Sequence, residues 1–429
     1  AQQRLWFLDQ LEPNSPLYNM SIAARLGGAL NLPALQRSLT AIVARHEVLR
    51  TRYVTIDGQP WQEIDAPRPV ELPVTDLSGF GAEEREAELA RELSAEAGRP
   101  FALARDLMLR TRVLRLGEND HVLQLSMHHI ASDAWSFDVL FQELVALYEA
   151  ALRGGEAKLP ELPIQYADFA EWQHEAQAGA RMQSHLAFWK RTLQGVPELL
   201  ELPTDRPRPS VQRFRGRQRW RRLPADLTAA LNHVSQQEGV TVFMLLLAAF
   251  KALVFRLSRQ EDILIGTPIA SRNHLETERL IGFFVNTLPL RDNLAGNPPF
   301  REVLHKVRQT ILDAYSHQDV PLDKLVEELR LERTASHAPL IQVVFALQPA
   351  LFTKSTLPGL SMELLDFDTH TAKFDLMLMA TPLPDGLLMQ VEYNEDLFEP
   401  ETMDRWLGHF ETLLHRSEER RVGKECRSR

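Results

Sequence analysis

Between residues 121 and 148 the spacing of apolar residues changes from two to three and four, and no single regular element satisfies both. Residues 121–127 alternate, with Leu123, Leu125 and Met127 on one side, which predicts a strand. Phe137, Leu140, Phe141, Leu144, Leu147 and Tyr148 then share one face of a helix. The join reads SMHHIASDAW (126–135), so His128, His129 and Asp133 lie where a strand ends and a loop enters a helix. In α/β proteins such a loop, open yet held by a rigid scaffold, is a common place for chemistry.

The same reading continues along the chain. Leu32, Leu35, Leu39, Ile42 and Val43 recur at helical spacing, and Pro33 suits a first turn, so residues 32–49 predict an amphipathic helix. Two proline-bearing breaks follow, GGEAKLPELP (154–163) and ELPTDRPRPSVQ (201–212), the second an extended linker. Beyond them the pattern predicts helices at 243–257 and 300–315 and strands at 263–265 and 340–347. The simplest organisation is two α/β lobes joined near residues 175–215.

Composition bounds the function. A chain of 429 residues with 44% hydrophobic and 25% charged content has ample material for a core. Its net charge of -10 repels phosphate backbones, which argues against a nucleic-acid partner. The single cysteine, Cys426, excludes an intrachain disulfide, a thiolate zinc site and a cysteine nucleophile in the main body. It fits a reducing compartment, so a cytoplasmic location is expected. The most apolar segment, residues 241–257, is short, carries Lys251 and reads as a buried helix; no membrane association and no signal peptide are expected. Residues 416–429 carry a net charge of +3 and few apolar groups, and are expected to form a disordered or non-native tail.

Three readings of His128, His129 and Asp133 compete. Adjacent histidines on a strand point to opposite faces and cannot easily share one ion, and after His46-Glu47 the position a second ligand would need holds Arg50, so no metal is expected. A histidine at a strand end is often only a satisfied or solvated residue. The pair also permits one ring to brace while the other faces a cleft, with the aspartate held by a cation elsewhere. Ser136 lacks a glycine-flanked elbow, so catalysis here would be acyl transfer by direct attack without a covalent enzyme intermediate.

HHIASDAW resembles the HHxxxDG signature of condensation domains from nonribosomal peptide synthetases, relatives of chloramphenicol acetyltransferase. The likeness runs in order through AQQRLWFLDQLEPNSPLYN (1–19), RHEVLRTRY (45–53), YADFAEWQ (166–173), GTPIASR (266–272), IGFFVNTLPLR (281–291), HQDVPLDKLVEEL (317–329) and TAKFDLML (371–378). The fold it implies is α/β: two chloramphenicol acetyltransferase-like lobes in a V-shaped pseudo-dimer, each a mixed sheet covered by helices. Residues 1–175 and 176–415 would form the lobes. The implied activity is amide formation, in which the α-amine of an acceptor aminoacyl thioester attacks a donor thioester. The resemblance places the catalytic histidine at His129, with His128 beside it and Asp133 structural, paired with an arginine, here assigned to Arg272. Trp135 would line the tunnel or simply pack, and Ser136 would support the site. Arg45, Arg50, Asn286 and Asp319 read as structural hydrogen-bonding groups.

The implied partners are upstream donor and downstream acceptor carrier-protein domains and the adenylation domain of the same synthetase. Substrates would arrive on 4'-phosphopantetheine arms, with no cofactor bound covalently to this chain. AQQRLWFL and MHHIASDAWS look more like the L-donor subtype. Ala134 replaces the motif's glycine, at a cost on the order of 1 kcal/mol if that backbone needs a positive φ. RTASHAPL (333–340) is a loose version of its motif, and the two ends suggest a fragment of a longer chain. The rivals are an epimerization domain or free-standing acyltransferase of the same superfamily, and a non-catalytic docking module, a branch that tends to lose the second histidine. A heterocyclising domain would show a DxxxxD pattern instead. A nucleotide-dependent ligase would need a phosphate-binding glycine loop, which the chain lacks.

Overall fold

The computed structural model describes residues 2–176, 179–331, 334–348 and 357–419. Its elements run α1 (Gln2–Leu11), β1 (Asn19–Gly27), α2 (Leu32–Arg45), β2 (Thr51–Ile56), β3 (Gln59–Ile64), β4 (Val74–Asp76), α3 (Ala82–Ala97), β5 (Leu109–Gly117), β6 (Asp120–His128), α4 (Ala134–Leu152) and α5 (Tyr166–Ala176). They continue as α6 (Ala180–Leu193), β7 (Gly216–Pro224), α7 (Ala225–Glu238), α8 (Val242–Ser258), β8 (Asp262–Ile269), β9 (Asn286–Asn293), α9 (Phe300–Ser316), α10 (Leu322–Glu328), β10 (Val343–Leu347), β11 (Ser361–Leu365), β12 (Leu376–Leu383), β13 (Gly386–Asn394) and α11 (Pro400–Glu419).

The chain divides into two compact units, and they interleave in sequence. The first comprises the described residues of Ala1–Gln177, Ala270–Val285 and Leu351–His370, and the second those of Ala178–Ile269, Asn286–Ala350 and Thr371–Arg429. A single cut near residue 175 therefore misses two segments that belong with the first unit. The 201–212 stretch is strapped onto the second unit rather than loose. Asp205 there accepts from Glu399 N at 2.8 Å and Thr402 Oγ1 at 2.9 Å, and Arg208 pairs with Asp375 at 2.5 Å.

In the first unit, five strands lie in the order β11-β1-β6-β5-β4, antiparallel except for the β4–β5 pair. The alternation along β6 is real, but both of its faces are covered. Leu123, Leu125 and Met127 enter the core beneath α2 and α4, with Leu35, Leu39, Leu140 and Leu144. On the other face Val122 packs with Leu89 and Leu93 of α3, Gln124 donates to the Leu93 carbonyl at 2.9 Å, and Ser126 shares a 2.7 Å hydrogen bond with Ser21. The alternate residues are polar because each has an internal partner, as buried polar groups require. Helix α2 starts as expected, with Asn31 capping Ala34 N at 3.0 Å and Pro33 in the first turn. It ends at Arg45, four residues before the expected end, and Glu47–Arg50 forms a 3-10 turn instead. The reason is tertiary: His46 turns extended (φ -101°, ψ 101°), and its ring bonds Glu143 of α4 at 2.9 Å.

The second unit has six strands in the order β7-β13-β12-β10-β8-β9, with β10 parallel to both neighbours. Its core gathers α8, α9 and α11 against that sheet through Leu245, Phe250, Val307, Phe345, Phe398 and Phe410, among others. Among the described residues no single helix is long and apolar enough to cross a membrane. Helix α11 extends to Glu419, so Arg416 and the three residues after it are helical, contrary to the expected tail. The remaining tail, with Cys426, lies outside the described residues, as does Arg333 of the loose motif.

Candidate active site

Strand β6 ends at His128, and the two histidines part company there. His128 is buried against Tyr18 and Phe101, and its Nδ1 accepts from Ile130 N at 3.1 Å, so the ring is neutral with its proton on Nε2. His129 is half-buried, and its backbone N–H donates to the Tyr18 carbonyl at 2.8 Å. Its Nδ1 lies 2.7 Å from the Ser132 carbonyl. A carbonyl only accepts, so Nδ1 carries the proton, and in the neutral ring the basic lone pair is on Nε2. Two adjacent imidazoles thus hold opposite tautomers, each set by a backbone group within three residues.

Asp133 caps α4 and does more than cap. Its Oδ1 accepts from Ser136 N at 2.9 Å, completing a capping box with the Ser136 hydroxyl on Asp133 N at 3.2 Å. The same oxygen pairs with Arg272 at 3.0 Å, and Oδ2 accepts from Phe284 N at 3.1 Å. The side chains of Arg272 and Asp133 are only 2% and 4% exposed, so each charge depends on the other. Arg272 also donates to the Thr277 carbonyl at 2.5 Å, the Leu280 carbonyl at 2.7 Å and Ser136 Oγ at 3.2 Å, and its face lies 4.0 Å over the Phe284 ring. Burial pushes the guanidinium below its ordinary pKa, and Asp133 opposes that shift. Ala134 opens the helix without a positive φ, so the substitution for glycine costs no backbone strain.

The segment facing this cap, residues 281–284, has its backbone claimed by side chains from three directions. Ile281 N donates to His46 Nδ1 at 3.4 Å, and Gly282 N to Ser136 Oγ at 3.1 Å. Ser136 Oγ is also 3.0 Å from the Gly282 carbonyl, and the Tyr166 hydroxyl donates to the Phe283 carbonyl at 2.8 Å. A Cβ at Gly282 would come within 2.1 Å of the Tyr166 ring, so only glycine admits this approach. Burial raises the Tyr166 phenol well above its ordinary pKa, which keeps it a donor. Phe283 then presents its ring to His129, centroids 5.0 Å apart and planes at 71°.

The other anticipated residues lie elsewhere or act as scaffold. Ser136 is wholly buried and saturated with hydrogen bonds, a poor nucleophile by geometry as well as by sequence. Trp135 is 44% exposed, and its indole N–H donates to the Glu278 carbonyl at 2.9 Å. Arg50 braces the β2–β3 hairpin, donating to the Asp65 carbonyl and pairing with Glu47 at 3.4 Å. Arg45 joins His46 on Glu143. Asn286 and Asp319 belong to the second unit. Asn286 donates to the Gln318 and Val320 carbonyls and accepts from Leu322 N at 3.1 Å, while Asp319 pairs with Arg181. Sequence reasoning missed Gln2, Tyr53, Tyr166 and Phe283. Gln2 donates to the Ile130 carbonyl at 2.6 Å and to the Tyr53 hydroxyl at 2.8 Å, tying the first helix to the residue after His129. All four lie in stretches that carry the family resemblance, but their partners are distant in sequence, so the motifs gave them no role.

The arrangement can accept a proton at His129 Nε2 from a group attacking an acyl carbon, and among the described residues no cluster suited to a metal ion occurs. The condensation-domain family model matches residues 1–419. One of the linear gramicidin synthase proteins of Brevibacillus parabrevis is 47% identical over 96% of the chain, which spans only 5% of that relative's length. The X-domain from teicoplanin biosynthesis superposes with a TM-score of 0.88 at 29% identity, covering 97% of this chain and 94% of that one. The same domain in its complex with OxyB gives 0.86 at 30% identity, covering 97% and 92%. The chain belongs to the condensation-domain family.

Proposed function

We propose that this domain joins a donor aminoacyl or peptidyl thioester to the α-amine of an acceptor aminoacyl thioester, both delivered on 4'-phosphopantetheine arms of carrier-protein domains. The amine nitrogen bonds to the donor carbonyl carbon and its proton passes to His129 Nε2. The C–S bond then breaks, and the donor arm leaves as a thiol, its sulfur taking that proton from His129. The observation that carries the reading is the His129 tautomer, which the 2.7 Å hydrogen bond to Ser132 sets with the lone pair on Nε2. His128 braces the strand end, while Asp133, Arg272 and Ser136 hold the loop that bears His129, and Trp135 borders it. Acid–base help of this kind contributes roughly 10²–10⁴-fold, and positioning of two tethered substrates supplies much of the rest.

The two units are read as the two acyltransferase-like lobes, the donor as an L-configured residue, the adenylation domain of the same synthetase as a further partner, and the location as cytoplasmic. With loaded donor and acceptor carriers, intact-protein mass spectrometry should find dipeptidyl mass on the acceptor carrier, reduced roughly 10²–10⁴-fold in rate by His129→Ala. Equal transfer by the variant would remove His129 from the chemistry. A second reading, docking of a partner protein, draws on the likeness to the X-domain found in complex with OxyB. Absence of transfer from folded protein with every carrier pair would favour it.

A further inference from the structure

The hydrogen bonds around residues 281–284 all act on backbone, and together they leave one side chain, Phe283, fixed against His129. Ser132 determines which nitrogen carries the proton, but a hydrogen bond at Nδ1 does not by itself set the plane of the imidazole. The near-perpendicular Phe283 ring, 5.0 Å away, restrains that plane. Phe283 in turn cannot shift without disturbing the Tyr166 hydroxyl on its own carbonyl, Ser136 on Gly282, or Asp133 on Phe284 N. Tyr166 holds the segment in two ways. Its ring fills the space over Gly282, and its hydroxyl, kept protonated by burial, pins the Phe283 carbonyl.

We propose that Phe283 is a positioning residue for the reaction, fixing the plane of the His129 imidazole, and that the Tyr166 hydroxyl holds Phe283 in place. The inference rests on the role given above to His129 and adds the part of the structure that aims it. An imidazole that swings by a fraction of an ångström loses alignment with an attacking amine, and misplacements of that kind cost up to about 100-fold in rate. A role confined to aiming the imidazole puts the loss on kcat and leaves KM for the acceptor carrier unchanged.

Two variants test this. Phe283→Leu keeps an apolar side chain but loses the ring, and Tyr166→Phe keeps the ring over Gly282 but loses the hydroxyl. Each should lower kcat, by about 10- to 100-fold for Phe283→Leu and less for Tyr166→Phe, with KM for the acceptor carrier unchanged. The ¹⁵N imidazole signals of His129, assigned by their loss in His129→Ala, should report the Nδ1–H tautomer in the parent chain. In the variants the same Nδ1–H tautomer should persist, but the ring signals should shift and broaden as the imidazole samples other planes. A fall in kcat with unmoved His129 signals would overturn the proposal, as would an unchanged kcat in both variants. If the parent chain transfers nothing, the proposed function fails, and the His129 signals of the two variants still decide whether Phe283 sets the ring.

Discussion

Among the described residues each unit holds a fully buried ion pair, and the two pairs do different work. Asp133–Arg272 in the first unit and Lys251–Asp292 in the second are alike in burial, no partner exceeding 4% exposure. Lys251 projects from α8 to Asp292 on β9, donates to the Leu290 carbonyl at 2.8 Å, and Thr310 of α9 completes Asp292 at 2.6 Å. Its partners belong to regular elements that already satisfy most of their own backbone. Burial lowers the Lys251 pKa, against the pull of Asp292. Asp133–Arg272, by contrast, supplies hydrogen bonds to Thr277, Leu280 and Phe284, whose loops have no ladder of their own. Burial alone therefore does not tell the two pairs apart; what distinguishes Asp133–Arg272 is the irregular backbone it organises.

The comparison can be broken by mutation. Removing one partner, as in Arg272→Met or Lys251→Met, should cost each unit about 3–5 kcal/mol in denaturant unfolding, because a buried charge is left alone. Replacing both partners should separate the pairs. Lys251→Met with Asp292→Leu should return to within about 1 kcal/mol of the parent chain, or exceed it, with amide transfer intact. Arg272→Met with Asp133→Leu should not recover transfer, because the Thr277, Leu280 and Phe284 backbone groups stay unpaired. Equal recovery by the two double variants would show that the pairs are interchangeable scaffold.

A smaller effect should appear on acidification. Burial alone would raise Glu143, but the hydrogen bond from His46 and the Arg45 guanidinium beside it more than offset that and hold the carboxyl below its ordinary 4.5. A carboxylate depressed on folding adds stability that is complete above the unfolded value and disappears as pH falls through the lower folded one. Urea unfolding of the parent chain should weaken below about pH 4.5, and Glu143→Gln should show a shallower decline over that window. Parallel curves would mean that the cluster beneath residue 281 is not electrostatically coupled to folding. The smallest change belongs to Ala134→Gly, which restores the family's motif. With no positive φ to relieve, it should lower stability by about 0.5–1 kcal/mol or less in thermal unfolding and leave transfer unaltered.

Much of this was legible where it depends on neighbours in sequence. The change of period at residue 128 located β6, the loop and α4, and Asn31 with Pro33 located the start of α2. What escaped depends on partners far along the chain. The end of α2 is set by Glu143, 97 residues after His46, and the support of residue 130 comes from Gln2, 128 residues before it. Alternation along β6 marked the strand but not what lies on its other face, which α3 covers, and Gln124 and Ser126 look like surface residues until their partners are known. The partner of Asp133 lies 139 positions away, so spacing alone could not point to Arg272 without the family's motifs.

Residues 270–285 leave the second unit after β8, serve the first, and return as β9. Anyone recombining such domains inherits a constraint from that excursion. A chimaera with one crossover near residue 177 takes Asp133, Ser136 and Tyr166 from one parent, but Arg272, Gly282 and Phe283 from the other. The lineage of the site is thus split by a cut that looks natural on a sequence map. Exchanges that carry 270–285 together with the amino-terminal portion keep those partners as one heritable block.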